Sequence, residues 1–311
     1  MEDEKTKPIG TIYVLGWTIS ITAVFLFFFL AWRALPTMSA IAWTPQALSS
    51  LVAATLLIAL NSLGPAARLW GWLVHKVLKV PEDKSLWAVL WISQFAKYIP
   101  GNILHHLGRT ELSRQLGLSV PGVAGLIVIE TILVLIIPLC MALAWWWHPP
   151  TGLLEAVPAL NSFSTRVIGA LVTAVMVGAG TLLLLRQTNL ETQSMKSWFG
   201  IFFKGIGYTI VMFALLISSV ISIAKIGLNL DIPYFALTQA IILSWVAGMV
   251  TPGAPAGIGV REVVFIGLLS GTTSIEHATL LSILSRIAQL GGDLLVFLVG
   301  LSFWRTRSHR I

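Results

Sequence analysis

Polar positions are sparse along this chain and arrive in clusters, separated by long stretches without a charge. A bilayer core needs about 20 apolar residues in helical form. Five stretches meet that length, roughly Ile9 to Trp32, Ala47 to Ala67, Pro121 to Trp147, Val167 to Leu185 and Gly205 to Ala224, and a less pure sixth spans His277 to Trp304. Two further stretches are irregular. Ser85 to Ala96 is a run of about a dozen residues, too short to cross, and it leads into KYIPGNILHHLGRTE. Ile232 to Val260 carries no charge but is broken by TPGAPAG. Proline removes a helical donor and glycine loosens the backbone, so each of these stretches predicts a helix, a break and a short second helix returning to the side it came from. The pattern predicts an all-α polytopic membrane protein, one transmembrane domain over residues 1–311, with six spanning helices and two re-entrant helical hairpins.

Loop charge supports that topology. The segment Arg68 to Lys84 is rich in His, Lys and Arg while Ala34 to Gln46 carries none, which by the positive-inside rule puts the N-terminus in the cytoplasm. With two hairpins that do not cross, HPPTGLLEAVPALNSFST falls outside, and RQTNLETQSMKS and the tail RTRSHRI fall inside. The expected location is the bacterial inner membrane, with both termini cytoplasmic. MEDEKTKPIG enters the first apolar run without a small-residue cleavage site, so that run reads as a retained helix.

Composition fits the pattern. Of 311 residues, 56% are hydrophobic and 11% charged, with a mean hydropathy of +0.86, where a soluble domain carries roughly a quarter charged residues. The formal net charge of +7 raises the question of nucleic acid, but the basic residues are scattered through short loops, which fits topology and anionic lipid and excludes a nucleic-acid face. The single cysteine, Cys140, lies in an apolar run and carries no redox or metal message. No cofactor is expected; without a Walker A pattern, ATP-driven transport by this chain alone is unsupported, and the hydrolase motifs Gly-x-Ser-x-Gly and His-Glu-x-x-His are missing from the sequence.

The two broken stretches match one another. In SQFAKYIPGNILHHLGRTE and SWVAGMVTPGAPAGIGVRE, a Pro-Gly is followed nine positions after the proline by an arginine (Pro100 to Arg109, Pro252 to Arg261), with an acidic residue just beyond, Glu111 or Glu262. Each unit follows two spanning helices and precedes one. An odd number of crossings per half inverts the second half, about 165–304, relative to the first, about 9–147. Inverted repeats with broken helices build alternating-access sites near the bilayer midplane, and irregular backbone survives there only beside protein or a water-filled cavity.

These segments resemble the flippase-like transmembrane family to which the membrane domain of lysylphosphatidylglycerol synthases belongs. The resemblance rests on KYIPGNILHHLGRTELSRQLGLS, on the acidic residue of VIETILVLI, and on PGAPAGIGVREVVFIGLL. Members show Tyr-x-Pro-Gly leading to an arginine and a later Pro- and Gly-rich motif ending Gly-x-Gly-x-x-Glu. Two departures stand out: His105 and His106 occupy the region where many relatives place Gly-Glu, and Ala256 stands where a glycine is common. The synthases also carry a large soluble catalytic domain, for which membrane segments filling the chain leave no room. The resemblance therefore implies lipid translocation and not aminoacyl transfer.

A phosphate headgroup crossing the membrane interior needs cationic donors, and the planar fork of arginine binds phosphate oxygens bidentately. Arg109 and Arg261 are the leading candidates; neutralising Glu111, Glu130 or Glu262 is their competing role. Lys97, about one turn before Pro100, extends the candidate basic site, with interfacial snorkelling the alternative, and its neighbour Tyr98 is a further candidate for binding substrate. Pro100, Gly101, Pro252, Gly253, Pro255, Gly257 and Gly259 would supply hinges and exposed backbone donors. Arg286 and Asp293 lie within the last apolar helix and, with Glu130 and Glu262, are candidates for proton coupling or for static ion pairs. The His105-His106 pair is no metal site, because neighbours on a helix point about 100 degrees apart and no cluster has ligand spacing; an interfacial polar role is expected. The tryptophans, WWW at Trp145 to Trp147, SLWAVLW and Trp304 among them, read as an interfacial belt.

The expected function is flipping of a phospholipid or a polyprenyl-phosphate-linked lipid, the partner being a membrane lipid with an anionic phosphate headgroup. Two other classes stay open: an intramembrane enzyme using Glu262 or Glu130 as base with the arginines clamping an oxyanion, and an accessory subunit presenting lipid to a glycosyltransferase or lipid synthase.

Overall fold

A computed structural model describes residues 8–39, 44–99, 103–145, 195–251 and 254–308. Every regular element among them is helical. In chain order these are α1 (Pro8–Ser39), α2 (Pro45–Asn61), α3 (Ala67–Leu78), α4 (Lys84–Ser93), α5 (Leu104–Gln115), α6 (Val120–Trp145), α7 (Met195–Ile221), α8 (Tyr234–Val250), α9 (Val260–Leu269) and α10 (Ile275–Ser308). The predicted span Val167 to Leu185 lies outside the described residues, as do the loops on either side of it.

By length and composition, three segments suffice to cross a membrane: Pro45–Leu78, Phe199–Gly227 and Ile275–Arg305. The chain is thus a helical membrane protein. Its outer surface agrees, since Phe25, Phe28, Trp32 and Phe203 stand more than half exposed, an apolar exterior that only lipid or another apolar surface would cover.

The first of these segments corrects an expectation. The apolar run is expected over Ala47 to Ala67 with a loop over Arg68 to Lys84, yet the helix runs on to Leu78 through a π-turn at Ser62–Ala66 that contains Gly64 and Pro65. Proline has no N–H to give to the i−4 carbonyl, and widening to π geometry absorbs that missing bond without ending the helix. The chain then turns at Lys79, in the left-handed region at φ 58, and Asp83 caps α4 by accepting from the Ser85 amide at 3.3 Å. A second π-turn, Ser222–Gly227, closes α7.

Both irregular stretches fold as helix, break and helix. In the first, α4 tightens into a 3-10 turn over Gln94–Tyr98 before α5; in the second, α8 ends at Val250 and a 3-10 turn over Pro255–Gly257 precedes α9. The arms of each unit pack against one another, α4 on α5 and α8 on α9, and the two 3-10 tips touch. Helix α10 packs against α1, α2, α4 and α9 and so runs past both tips.

The buried apolar residues form two cores. One is built mainly from α3, α4 and α6 around Trp70, Leu73, Leu90 and Leu126; the other mainly from α7 to α10 around Ile223, Ile241, Leu269 and Leu281. Trp70, Trp72 and Trp91 are buried in the first, so these tryptophans fill a core and do not form a belt. Their rings bring large apolar area.

Candidate functional site

Between the two tips lies a cavity of about 310 Å³. It is lined by the first unit (Gln94, Lys97, His105, His106, Arg109) and the second (Ala256, Gly257, Arg261), with Gln289 and Asp293 from α10 and Asn61 and Glu130 from α2 and α6. Apolar side chains share the lining, Ile58, Val134, Met212, Leu216, Trp245 and Met249. Residues far apart in sequence are thus brought to one place by the two breaks.

The local fold of the second tip follows from its glycines. Gly257 has φ +73, and a Cβ there would meet the backbone of Gly248 at 2.8 Å; Gly259 has φ +86, and a Cβ there would meet the Val24 amide nitrogen at 2.5 Å. Only glycine fits either place. Ala256 adopts φ 49, a left-handed conformation that costs an L-residue roughly 1–2 kcal/mol. Its carbonyl is held by Arg286 Nη1 at 3.2 Å.

Three ion pairs surround the cavity. Arg109, 2% exposed, pairs with Glu130 on α6 and lies 4.8 Å from the Trp70 ring. Lys97 reaches Asp293 on α10 at 2.7 Å, and Tyr98 Oη donates to the same carboxylate at 2.5 Å. Glu262, 1% exposed, pairs with Arg286 and also accepts from the Gly259 amide at 2.6 Å, which caps α9. Within hydrocarbon such charges persist only when paired or when they face a cavity.

Arg261 differs from the other cations: its hydrogen-bond partner is Gln289 Oε1 at 3.1 Å, and no ion pair among the described residues includes it. The equal standing of Arg109 and Arg261 expected from the repeat is therefore not reproduced in their surroundings. Arg109 is sandwiched between a carboxylate and an indole, while Arg261 stands half-buried in the cavity wall.

Of the other expected site residues, Lys97, Glu130, Gly257 and Asp293 line the cavity. Tyr98 approaches through Asp293, and Glu262 and Arg286 sit behind Arg261 around a pocket of about 30 Å³. Pro255 and Gly259 belong to the second tip, whereas Pro100, Gly101, Pro252 and Gly253 lie outside the described residues. Glu111 does not join the others. It is exposed on α5 and paired with Arg114 through two hydrogen bonds of 2.8 Å, which hold its carboxyl below the usual range.

Sequence reasoning missed four polar wall residues. His105 and His106, expected at the interface, both line the cavity, with ring centroids 3.8 Å apart; their position at the start of α5, where the helix faces the tip, lets adjacent side chains share one wall. Asn61 ends α2 at the π-turn, and Gln289 completes the i, i+3, i+7 stripe of Arg286, Gln289 and Asp293 on α10. Both carried a usable signal: an amide in an otherwise apolar helix, beside a Gly-Pro in one case and on the ionisable face in the other. Among the described residues no group of three or more metal-ligating side chains is present.

Comparison with family models, with curated proteins and with solved structures found no match.

Proposed function

We propose that this chain moves a lipid with an anionic phosphate headgroup between the leaflets of the bacterial inner membrane, the headgroup lodging in the cavity between the two broken units. One observation carries this reading: the cavity lining is mixed, with three cationic side chains together with aliphatic and indole side chains. A headgroup phosphate needs the first, and the glycerol and first acyl carbons need the second. At about 310 Å³ it suits a headgroup and leaves the acyl chains outside, against the apolar exterior.

The motif resemblance to flippase-like proteins supports the same reading, as does the inverted repeat inferred from the paired Pro-Gly breaks. Two units whose tips touch across a cavity are the arrangement in which rocking of one against the other would switch its opening from one leaflet to the other. Both termini are proposed to be cytoplasmic.

Leaflet-resolved transfer of fluorescent phospholipids in proteoliposomes tests it. Wild type is expected to accelerate transfer over protein-free vesicles, and Arg261→Ala to abolish the acceleration while the protein remains monodisperse. Absence of transfer for every phospholipid tried, with or without a pH gradient, would refute the proposal.

A further inference from the structure

Arg261 faces two spaces: it lines the large cavity and also the pocket of about 30 Å³ that it shares with Glu262 and Arg286. Two guanidiniums and one carboxylate in the lining of the small pocket leave one positive charge. That carboxylate is already engaged, since one oxygen of Glu262 pairs with Arg286 and the other accepts from the Gly259 amide at 2.6 Å. The large cavity offers no replacement, because Glu130 pairs with Arg109 and Asp293 with Lys97. A cation left without a counter-charge in a low-dielectric interior is costly.

Uncharged donors stand beside the surplus charge. Ser282, 5% exposed, lines the small pocket, and its hydroxyl makes no hydrogen bond among the described residues. The neighbouring serines differ: Ser244 donates to the Ile241 carbonyl at 3.0 Å and Ser285 to the Leu281 carbonyl at 2.7 Å. Ser282 Oγ is also not among the atoms sealed off by packing, so a partner for it has room in the pocket. Gln289 Oε1 accepts from Arg261 Nη1 at 3.1 Å and from Arg286 Nη1 at 3.3 Å, which leaves the amide NH₂ to donate elsewhere. Buried polar groups are normally satisfied, and here those left over are donors beside a net positive charge.

Volume limits the occupant. About 30 Å³ is close to the share of one molecule in liquid water, roughly 30 Å³. A monatomic ion fits that space and a tetrahedral oxyanion does not. From charge, donors and volume we infer that the small pocket binds a single halide, chloride in a chloride-containing medium, held by Arg261 with Ser282 and Gln289 as neutral donors. The halide supplies the counter-charge that no side chain gives Arg261. The inference concerns a pocket apart from the headgroup and stands whatever the large cavity carries.

The test uses the purified full chain in detergent, with equilibrium dialysis of radioactive chloride beside thermal melts in sodium chloride, bromide, methanesulfonate and gluconate at equal ionic strength. Chloride binding is expected to saturate at a single site. Chloride and bromide should raise the midpoint over gluconate by about 3 °C at tenfold above the Kd, and methanesulfonate, monovalent but too large, should match gluconate. Ser282→Ala removes only an unpartnered hydroxyl and should weaken chloride about tenfold, the factor for one hydrogen bond to a charged group. Arg261→Gln should abolish the halide dependence while melting in gluconate no lower than wild type. Gln289→Glu, which brings its own carboxylate, should also lose the dependence and melt in gluconate as high as wild type does in chloride.

Equal midpoints in all four salts without saturable chloride binding would overturn the inference and leave water in the large cavity as the solvent of Arg261. A halide effect that persists in Arg261→Gln would overturn it by placing the anion elsewhere. Methanesulfonate as effective as chloride would overturn the assignment to the small pocket. Each of these results leaves lipid translocation standing, since leaflet transfer is read in a separate assay, and absence of leaflet transfer leaves the halide site standing.

Discussion

Neutralising Glu262 separates two roles that a membrane carboxylate can play. Its side chain is 1% exposed, pairs with Arg286 and accepts from the Gly259 amide at 2.6 Å. Glu262→Gln keeps the shape, and its amide oxygen can still accept from Gly259, so the cap of α9, worth about 1 kcal/mol, survives. What it loses is the charge. Arg286 then keeps only the Ala256 carbonyl at 3.2 Å and Gln289 at 3.3 Å, and two guanidiniums, Arg261 and Arg286, share a neutral surrounding. Removing one partner of a buried pair typically costs about 3–5 kcal/mol. At roughly 2 °C per kcal/mol for a chain of this size, the midpoint in detergent should fall by about 6 °C or more.

The companion variant sharpens the expectation. Glu262→Gln with Arg286→Gln removes both charges, leaves no orphan, and should be no less stable than Glu262→Gln alone, because the cost lies in the stranded cation more than in the lost attraction. A proton-carrying Glu262 behaves differently: glutamine mimics its protonated form, so stability would hold while any pH dependence of transfer disappeared. A melting midpoint within about 1 °C of wild type, together with loss of pH-dependent transfer, would refute the ion-pair assignment. Thermal melts followed by size-exclusion monodispersity supply the first readout, and proteoliposome transfer the second.

The remaining substitutions probe the tips. Gly259→Ala should prevent accumulation of folded protein, since its Cβ would meet the Val24 backbone at 2.5 Å, and expression with size-exclusion profiles checks it. Ala256→Gly relieves φ 49 and should stabilise by about 0.5 kcal/mol, the relief of left-handed strain less the added chain entropy, read as a raised midpoint. Tyr98→Phe deletes the 2.5 Å hydrogen bond to Asp293 and should cost about 1.5–3 kcal/mol, the range for bonds to charged groups. Glu111→Ala changes an exposed i,i+3 pair and should leave both the melting midpoint and transfer unchanged.

Much of the helical order was legible because apolar run length is a direct consequence of hydrocarbon thickness. The two broken units were legible for a related reason: Pro and Gly clusters within an apolar run disfavour a continuous helix, and the described residues on either side of each cluster form separate helices that pack on one another. What failed concerned backbone adaptability and pairing. The apolar run stops at Ala67 and Arg68 to Lys84 has the charge of a loop, but π geometry at Pro65 carries the helix on to Leu78. His105 and His106 were set aside on helical geometry, which holds within an element but says nothing of a wall built from several elements, where both rings lie. Tryptophans near the ends of apolar runs were assigned to an interface, and Trp70 instead packs over Arg109.

Partner choice among the charges was the least legible feature, and it carries the most functional weight. The repeat made Arg109 and Arg261 equivalent, as spacing must when two segments share one pattern. Equivalence ends at the third element that each arginine meets. Arg109 faces α6, which offers Glu130, whereas Arg261 faces α10, whose nearest polar group is Gln289 and whose Asp293 is already claimed by Lys97 and Tyr98 of the opposite tip. The stripe Arg286, Gln289, Asp293 thus does two things along one helix face: it joins the tips, one through Ala256 and Glu262 and the other through Lys97 and Tyr98, and it leaves an amide where a further carboxylate would have quenched Arg261. A carboxylate at that place should restore charge balance without cargo. Gln289→Glu is therefore expected to raise the thermal midpoint while abolishing lipid transfer, and a variant that kept full transfer would show that Arg261 is not the group on which the headgroup depends.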